Sequence, residues 1–175
     1  MILETQRLYL REMTQDDYAD LCEILQDKDA MYAYEHAFSD EEAHDWLDRQ
    51  LARYETYGFG LWAVIDRETG TFLGQAGLTM QDIGDEEVLE IGYLFKRRYW
   101  HHGYATEAAR ALKAYAFSIL HAPRVYSIIR DNNIASQNVA RRNGMHVVKT
   151  IVKHYYNIDM PHFVFCIENG ERETL

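Results

Sequence analysis

Apolar residues recur along this chain with two periods, and the switches between them outline its elements. Leu8 and Leu10 alternate with Tyr9 and Arg11, which predicts a strand over 8–11. Thr14-Gln15-Asp16-Asp17 sets a hydroxyl three residues before an acid, and Tyr18, Leu21 and Leu25 follow at helical spacing. Ser39-Asp40-Glu41-Glu42 is a capping box that opens a second helix, with Ala43, Trp46, Leu47, Leu51 and Tyr54 on one face. Three strands are then predicted over 60–66, 72–79 and 88–95, separated by turns at Glu68-Thr69-Gly70 and Ile83-Gly84-Asp85-Glu86. A helix over 104–120 carries Ala105, Ala108, Ala109, Leu112 and Ala116, and a strand over 124–130 follows Pro123. A short helix from Ile134 to Asn143 ends at Gly144, and strands 145–155 and 160–168 join near Asn157-Ile158-Asp159.

Strand 88–95, helix 104–120 and strand 124–130 make a right-handed parallel crossover, whereas the consecutive strands before them can pair as hairpins. The expected fold class is therefore α+β (α/β layered). It has a mixed, mostly antiparallel sheet of about seven strands and about four helices, in a single domain over 1–175. A flavodoxin-like order would need strand and helix to alternate throughout, which the run of strands from 60 to 95 opposes.

Composition narrows the function classes. No apolar run reaches the roughly 20 residues of a membrane span, and the start lacks a signal peptide's basic and apolar regions. Cys22 and Cys166 are too few and too far apart for a disulfide framework or metal motif, so a reduced cytoplasmic setting is expected. The eight histidines show no ligand spacing, and no metal is expected. Arg97-Arg98 and Arg141-Arg142 are short basic pairs rather than a basic face, so nucleic acid is not an expected partner. Charge is polarised: residues 1–90 carry 22 acidic and six basic side chains, residues 91–175 six acidic and 12 basic. That division suits an anionic ligand held by the second half and a cationic one approached by the first.

The candidate chemistry begins at Tyr99-Trp100-His101-His102-Gly103-Tyr104-Ala105-Thr106-Glu107-Ala108, between an apolar strand and a helix start. A glycine-containing turn at that junction aims unpaired backbone N–H groups and the positive end of the helix dipole in one direction, which makes a phosphate cradle. It is neither of the standard nucleotide fingerprints. A second element follows some thirty residues on, Asn133-Ile134-Ala135-Ser136-Gln137-Asn138-Val139-Ala140-Arg141-Arg142-Asn143-Gly144-Met145.

These residues carry a family resemblance. Trp100-His101-His102-Gly103-Tyr104-Ala105 resembles the Gln/Arg-x-x-Gly-x-Gly/Ala pyrophosphate loop of the GNAT N-acetyltransferase superfamily, in the form usual for its RimJ/RimL-like branch, the ribosomal-protein N-terminal acetyltransferase type. The segment Asn133-x-x-Ser136-x-x-Val139 through Gly144-Met145 is similar to a second motif of that branch. Thr5-Gln6-Arg7-Leu8-Tyr9-Leu10-Arg11 resembles its opening. His101 stands where a glycine is common, and Ala140 where many members carry a tyrosine general acid.

The resemblance implies a GNAT-like sheet whose parallel unit splays to hold acetyl-CoA, and transfer of its acetyl group to a primary amine by direct attack in a ternary complex. The acceptor is a protein N-terminal α-amine or a small cationic amine. It implies that Leu94, Phe95, His101, His102, Gly103, Tyr104, Ala105, Thr106, Asn133 and Asn138 bind the co-substrate. The Leu94 N–H is the expected polarising donor, freed where the strand splays beside Gly92-Tyr93. Glu90, a carboxylate in an apolar strand, is the candidate base, since desolvation raises a carboxyl pKa; a structural carboxylate paired to backbone is the alternative. Asn133 reads as N-cap and pantetheine partner together. Ser136 is the candidate proton donor, with Tyr155 and Tyr156 as alternatives. Of the aromatics in the first half, some are expected to line the acceptor groove and most to pack the core. A non-catalytic acyl-CoA-binding sensor on the same fold is the competing function. The acceptor's identity and the choice between monomer and homodimer stay open.

Overall fold

The period-two segments assemble one eight-stranded sheet in the computed structural model, which describes residues 1–170. The strands are β1 (Leu3–Glu4), β2 (Leu8–Arg11), β3 (Leu61–Asp66), β4 (Phe72–Asp82), β5 (Glu87–Phe95), β6 (Arg124–Arg130), β7 (His146–Tyr155) and β8 (Ile158–Glu168). The helices are α1 (Tyr18–Leu25), α2 (Asp40–Tyr57), α3 (Tyr104–Ser118) and α4 (Ile134–Arg142). Strand order is β1-β2-β3-β4-β5-β6-β8-β7, and every neighbouring pair is antiparallel except β5–β6. The strand beyond the expected seven is two-residue β1, too short to show a period. It pairs with β2 through Leu3–Leu10 and Glu4–Tyr9.

Alternation along the central strands sorts the core into two layers. Trp62 and Val64 pack with Ala108, Leu112 and Ala116 of α3 and Val139 of α4, whereas Leu61, Ala63 and Ile65 pack with Ile24 of α1 and Leu47 of α2. Helices thus cover both faces, which is why β3 is apolar almost throughout. The capping box at Ser39 forms: the Glu42 N–H donates to Ser39 Oγ at 3.2 Å and the Ser39 N–H to Glu42 Oε2 at 2.8 Å. One close approach demands glycine. A Cβ on Gly77 would lie 1.9 Å from the Gly60 carbonyl oxygen.

The β7–β8 turn falls one or two residues earlier than its spacing suggests, at Tyr156 and Asn157, both at positive φ (52° and 58°). Two consecutive left-handed residues match the twist of a tight hairpin. No helix among the described residues is long and apolar enough to cross a membrane.

The parallel pair matters most for function. β5 and β6 share a single registered pair, Glu90 with Tyr126, and then part. Side chains bridge the start of the opening: Ser127 Oγ donates to the Ile91 carbonyl at 3.0 Å, and the Ile128 N–H donates to Glu90 Oε1 at 3.1 Å. On its other side β5 stays in unbroken register with β4 from Gly74–Phe95 to Asp82–Glu87.

Candidate active site

Beyond β5 the chain runs through a 3₁₀ turn (Arg97–Tyr99) into the loop that starts α3. Gly103, the N-cap, has φ 80°, and His101 has φ 64°. Both residues are thus left-handed, a conformation that costs a Cβ-bearing residue about 1–2 kcal/mol. The substitution of histidine for the common glycine leaves the turn in that shape. The first helical bond of α3 runs from the Glu107 N–H to the Gly103 carbonyl at 3.0 Å. The amides of Tyr104, Ala105 and Thr106 therefore have no carbonyl one turn back to bond.

The opening motif of the chain braces this loop. Arg7 donates from Nη1 to the His102 carbonyl (2.9 Å) and from Nε to Glu107 Oε2 (2.7 Å), and its guanidinium lies 4.5 Å from the centre of the Tyr104 ring. Thr5 Oγ1 (2.6 Å) and the Arg7 N–H (2.9 Å) donate to the other carboxylate oxygen of Glu107. Burial pushes the Glu107 carboxyl up, but these bonds outweigh it and hold its pKa below the usual value. Trp100 donates from Nε1 to the Phe95 carbonyl at 2.9 Å, joining loop to strand.

Backbone direction along β5 corrects one expectation. The Lys96 N–H bonds the Leu73 carbonyl beside β4, while the Ile91 carbonyl faces β6 and accepts from Ser127. Backbone groups alternate sides along a regular strand. The amides of Gly92 and Leu94 therefore face β4, and those of Tyr93 and Phe95 face the gap. The Leu94 N–H is not the group aimed into the opening, because the register with β4 lacks the bulge that would turn it.

The gap opens into a cavity of about 410 Å³. Glu90, Leu94, Asn133 and Ser136 line it together, as do Tyr155 and Tyr156 of the β7–β8 hairpin. His101, His102, Gly103, Tyr104, Ala105 and Thr106 do not, since they form the loop and first turn at the α3 N-terminus. Phe95 is buried in the core and offers the opening only its backbone, and Asn138 is exposed on α4, outside the cavity wall. Tyr34 and Trp46 are the first-half aromatics in the wall, while Trp62 and Tyr54 belong to the core.

Glu90 is paired to backbone and lines the cavity as well. Its carboxylate accepts from the Ile128 N–H and from Thr79 Oγ1 (3.3 Å), and it faces the cavity. Burial raises its pKa against the opposing pull of Lys153, the two hydrogen bonds and Arg53. Asn133 caps α4 through its Oδ1, which accepts from the Ser136 N–H (3.1 Å) and from the Tyr32 hydroxyl (2.7 Å), so a ligand would meet its NH₂ group. The Tyr93 hydroxyl donates to the Ser136 carbonyl at 3.2 Å, and burial raises its pKa too. Ala140 is buried in the core, with no hydroxyl to offer.

Three sets of residues in the wall escaped sequence reasoning: Arg49 and Arg53 of α2, Arg130 of β6, and Lys153 of β7 with His162 of β8. Glu90 is the sole carboxylate in the wall among the described residues. The charge facing this cavity is thus the reverse of the acidic total carried by residues 1–90. No group of three or more His, Cys, Asp or Glu side chains among the described residues could hold a metal ion.

Residues 7–146 match the family model described as the acetyltransferase (GNAT) domain. The YkkB protein of Bacillus subtilis is 40% identical over 152 residues, with 86% of this chain and 88% of YkkB covered. YnaD, an N-acetyltransferase of the same organism by name, is 28% identical over 146 residues, 83% of this chain and 82% of YnaD. Among solved structures, a GNAT-family acetyltransferase from Bacillus anthracis superposes with a TM-score of 0.80 at 23% identity, covering 96% of this chain and 98% of its own. RimL, a ribosomal L7/L12 alpha-N-protein acetyltransferase solved with coenzyme A, superposes with a TM-score of 0.77 at 16% identity, covering 95% and 97%.

Proposed function

The chain belongs to the GNAT acetyltransferase family, and from that premise we propose that it moves an acetyl group from acetyl-CoA to a primary amine held in the 410 Å³ cavity. The observation that carries this reading is the succession of three features along β5 and out of it: Glu90 where β5 and β6 part, the gap beyond it, and the free amides that follow at the start of α3. The residues present fit the donor. The unbonded amides of Tyr104, Ala105 and Thr106, with the helix dipole behind them, suit its diphosphate. The gap between the strands suits an extended arm that borrows sheet hydrogen bonds.

Acetyl-CoA, when bound, supplies the activated acyl group as a thioester. The rest falls to this chain. A free alkylammonium has a pKa of about 10 and must lose a proton before it attacks. Glu90 takes that proton, directly or through water, and its burial moves its affinity for protons in the needed direction. The amides of Tyr93 and Phe95 lie where a carbonyl oxygen that gains charge beside the gap can be held. Ser136, which lines the cavity, gives a proton to the departing sulfur in the place of the absent tyrosine. Holding both partners in one cavity supplies much of the remaining acceleration. A cytoplasmic setting, where acetyl-CoA and reduced cysteines coexist, belongs to the same proposal.

The test is thiol release from acetyl-CoA against a panel of amines and short peptides. Release that depends on the amine and saturates with it is expected. Tight acetyl-CoA binding with no release for any member of the panel would replace this reading with that of an acyl-CoA sensor.

A further inference from the structure

Resting on that acetyltransferase reading, the cavity's charge points to the class of amine it takes. We propose that the acceptor carries a carboxylate close to its amine, with the amine directed to Glu90 and the carboxylate to Arg49, Arg53 and Lys153. Those three cations reach the cavity from two sides of the fold. Arg49 and Arg53 sit one turn apart on α2, and Lys153 lies across on β7. None of the three has a carboxylate within ion-pair distance among the described residues.

With 28 acidic and 18 basic side chains, carboxylates are in excess, and many cations outside the cavity are paired. Arg7 has Glu107, Arg11 has Asp17, Lys96 has Asp20 and Glu23, and Lys149 has Asp85. Arg53 instead donates to neutral Gln50 Oε1 (3.1 Å), and burial together with the charge of Arg49 lowers its pKa. A fourth cation, Arg130, is tied to Glu35 yet keeps a buried Nε with no hydrogen-bond partner. Arg53 and Lys153 are partly buried and share Glu90 as the one carboxylate in the wall, so an anion that enters beside them gains charge-assisted hydrogen bonds.

The diphosphate does not compete for them, since the cradle residues 101–106 lie outside this cavity. One other use of these charges must be separated by experiment. Arg53 and Lys153 also favour the ionised form of Glu90. If that were their whole purpose, removing one would move the pH profile and leave acceptor preference alone.

The experiment compares 4-aminobutyrate, butylamine and putrescine, then Ser-Asp-amide and Ser-Asn-amide, by thiol release and by calorimetric titration of the protein saturated with coenzyme A. The carboxylate-bearing member of each set is expected to lead by at least about tenfold in kcat/KM and in affinity. The two sets show whether the carboxylate belongs to a free amino acid or to an acidic second residue of a peptide. In Arg53→Gln, and independently in Lys153→Gln, that ratio is expected to fall toward one. Butylamine or putrescine equalling the carboxylate-bearing amine overturns the anion site and leaves acetyl transfer standing. Selective calorimetric binding of the carboxylate-bearing amine with no thiol release does the opposite. Variants that shift the pH profile with the ratio intact also overturn it.

Discussion

Replacing Arg7 with methionine should loosen the cofactor cradle from a distance, and the structure sets the size of the effect. The methionine keeps a similar apolar stem but removes the bonds to the His102 carbonyl and the Glu107 carboxylate, and the contact with the Tyr104 ring. The Arg7 side chain is 42% exposed and that of Glu107 18% exposed, so solvent screens part of the ion pair. Charge-assisted bonds are worth about 1.5–3 kcal/mol when buried, and exposed pairs about 0–1 kcal/mol. A combined loss of about 2 kcal/mol follows. At 2–4 °C per kcal/mol for a chain of this size, the melting temperature should fall by roughly 4–8 °C.

Binding adds a second, separable effect. Glu107 is in the first turn of α3, and without the guanidinium its negative charge sits bare beside the diphosphate cradle. Coenzyme A affinity measured by calorimetry should drop about tenfold, equivalent to about 1.4 kcal/mol. Adding Glu107→Gln to Arg7→Met removes that repulsion, so affinity should return to within about threefold of wild type while the melting temperature stays low. Glu107 also has a lowered folded-state pKa, so its stabilisation is present above the usual carboxylate value and is lost as pH falls below it. That acid limb should vanish in Glu107→Gln. Unchanged coenzyme A affinity in Arg7→Met, or no recovery in the double variant, would refute the account of the brace.

Glu90→Gln should keep coenzyme A affinity and fold, yet lose about 10²–10⁴ in kcat. In the native protein a base must be ionised, so activity should decline as pH falls through a pKa above the ordinary glutamate value, and the Gln variant should lack that limb. An unchanged kcat removes Glu90 from the chemistry. For Gly77→Ala, the new methyl meets the Gly60 carbonyl oxygen at 1.9 Å and Leu61 Cα at 2.8 Å, so β3 and β4 must part. Overpacking of this kind costs about 3 kcal/mol, and chemical denaturation showing under about 1 kcal/mol would contradict the geometry.

What could be read from the residues, and what could not, divides along a physical line. The loop at the start of α3 was legible because its signal is local: a left-handed glycine and a helix start stand at consecutive positions. Glu90 stood out for a similar reason, as a charge inside an apolar strand whose burial shifts its pKa. The direction of the Leu94 amide was not legible, because it depends on which edge of β5 the ladder with β4 uses. One residue's change in register would reverse it. The same holds for Arg49 and Arg53, which look like the solvated face of an amphipathic helix until β7 brings Lys153 opposite them.

Charge totals misled for a deeper reason. Part of the acid in the first half is consumed by pairing (Asp20 and Glu23 hold Lys96, Asp27 and Asp29 hold Arg97, and Asp17 holds Arg11), and apart from Glu90 the remainder lies away from the cavity wall. A paired carboxylate contributes little field at a distance, since the opposite charge beside it cancels its own. The quantity that bears on a ligand is the charge left over after pairing, at the cavity wall. In a chain of net charge −10, that remainder is positive beside Glu90. Surface charge and site charge can therefore carry opposite signs in one small protein, and only the fold reveals which carboxylates are already spoken for.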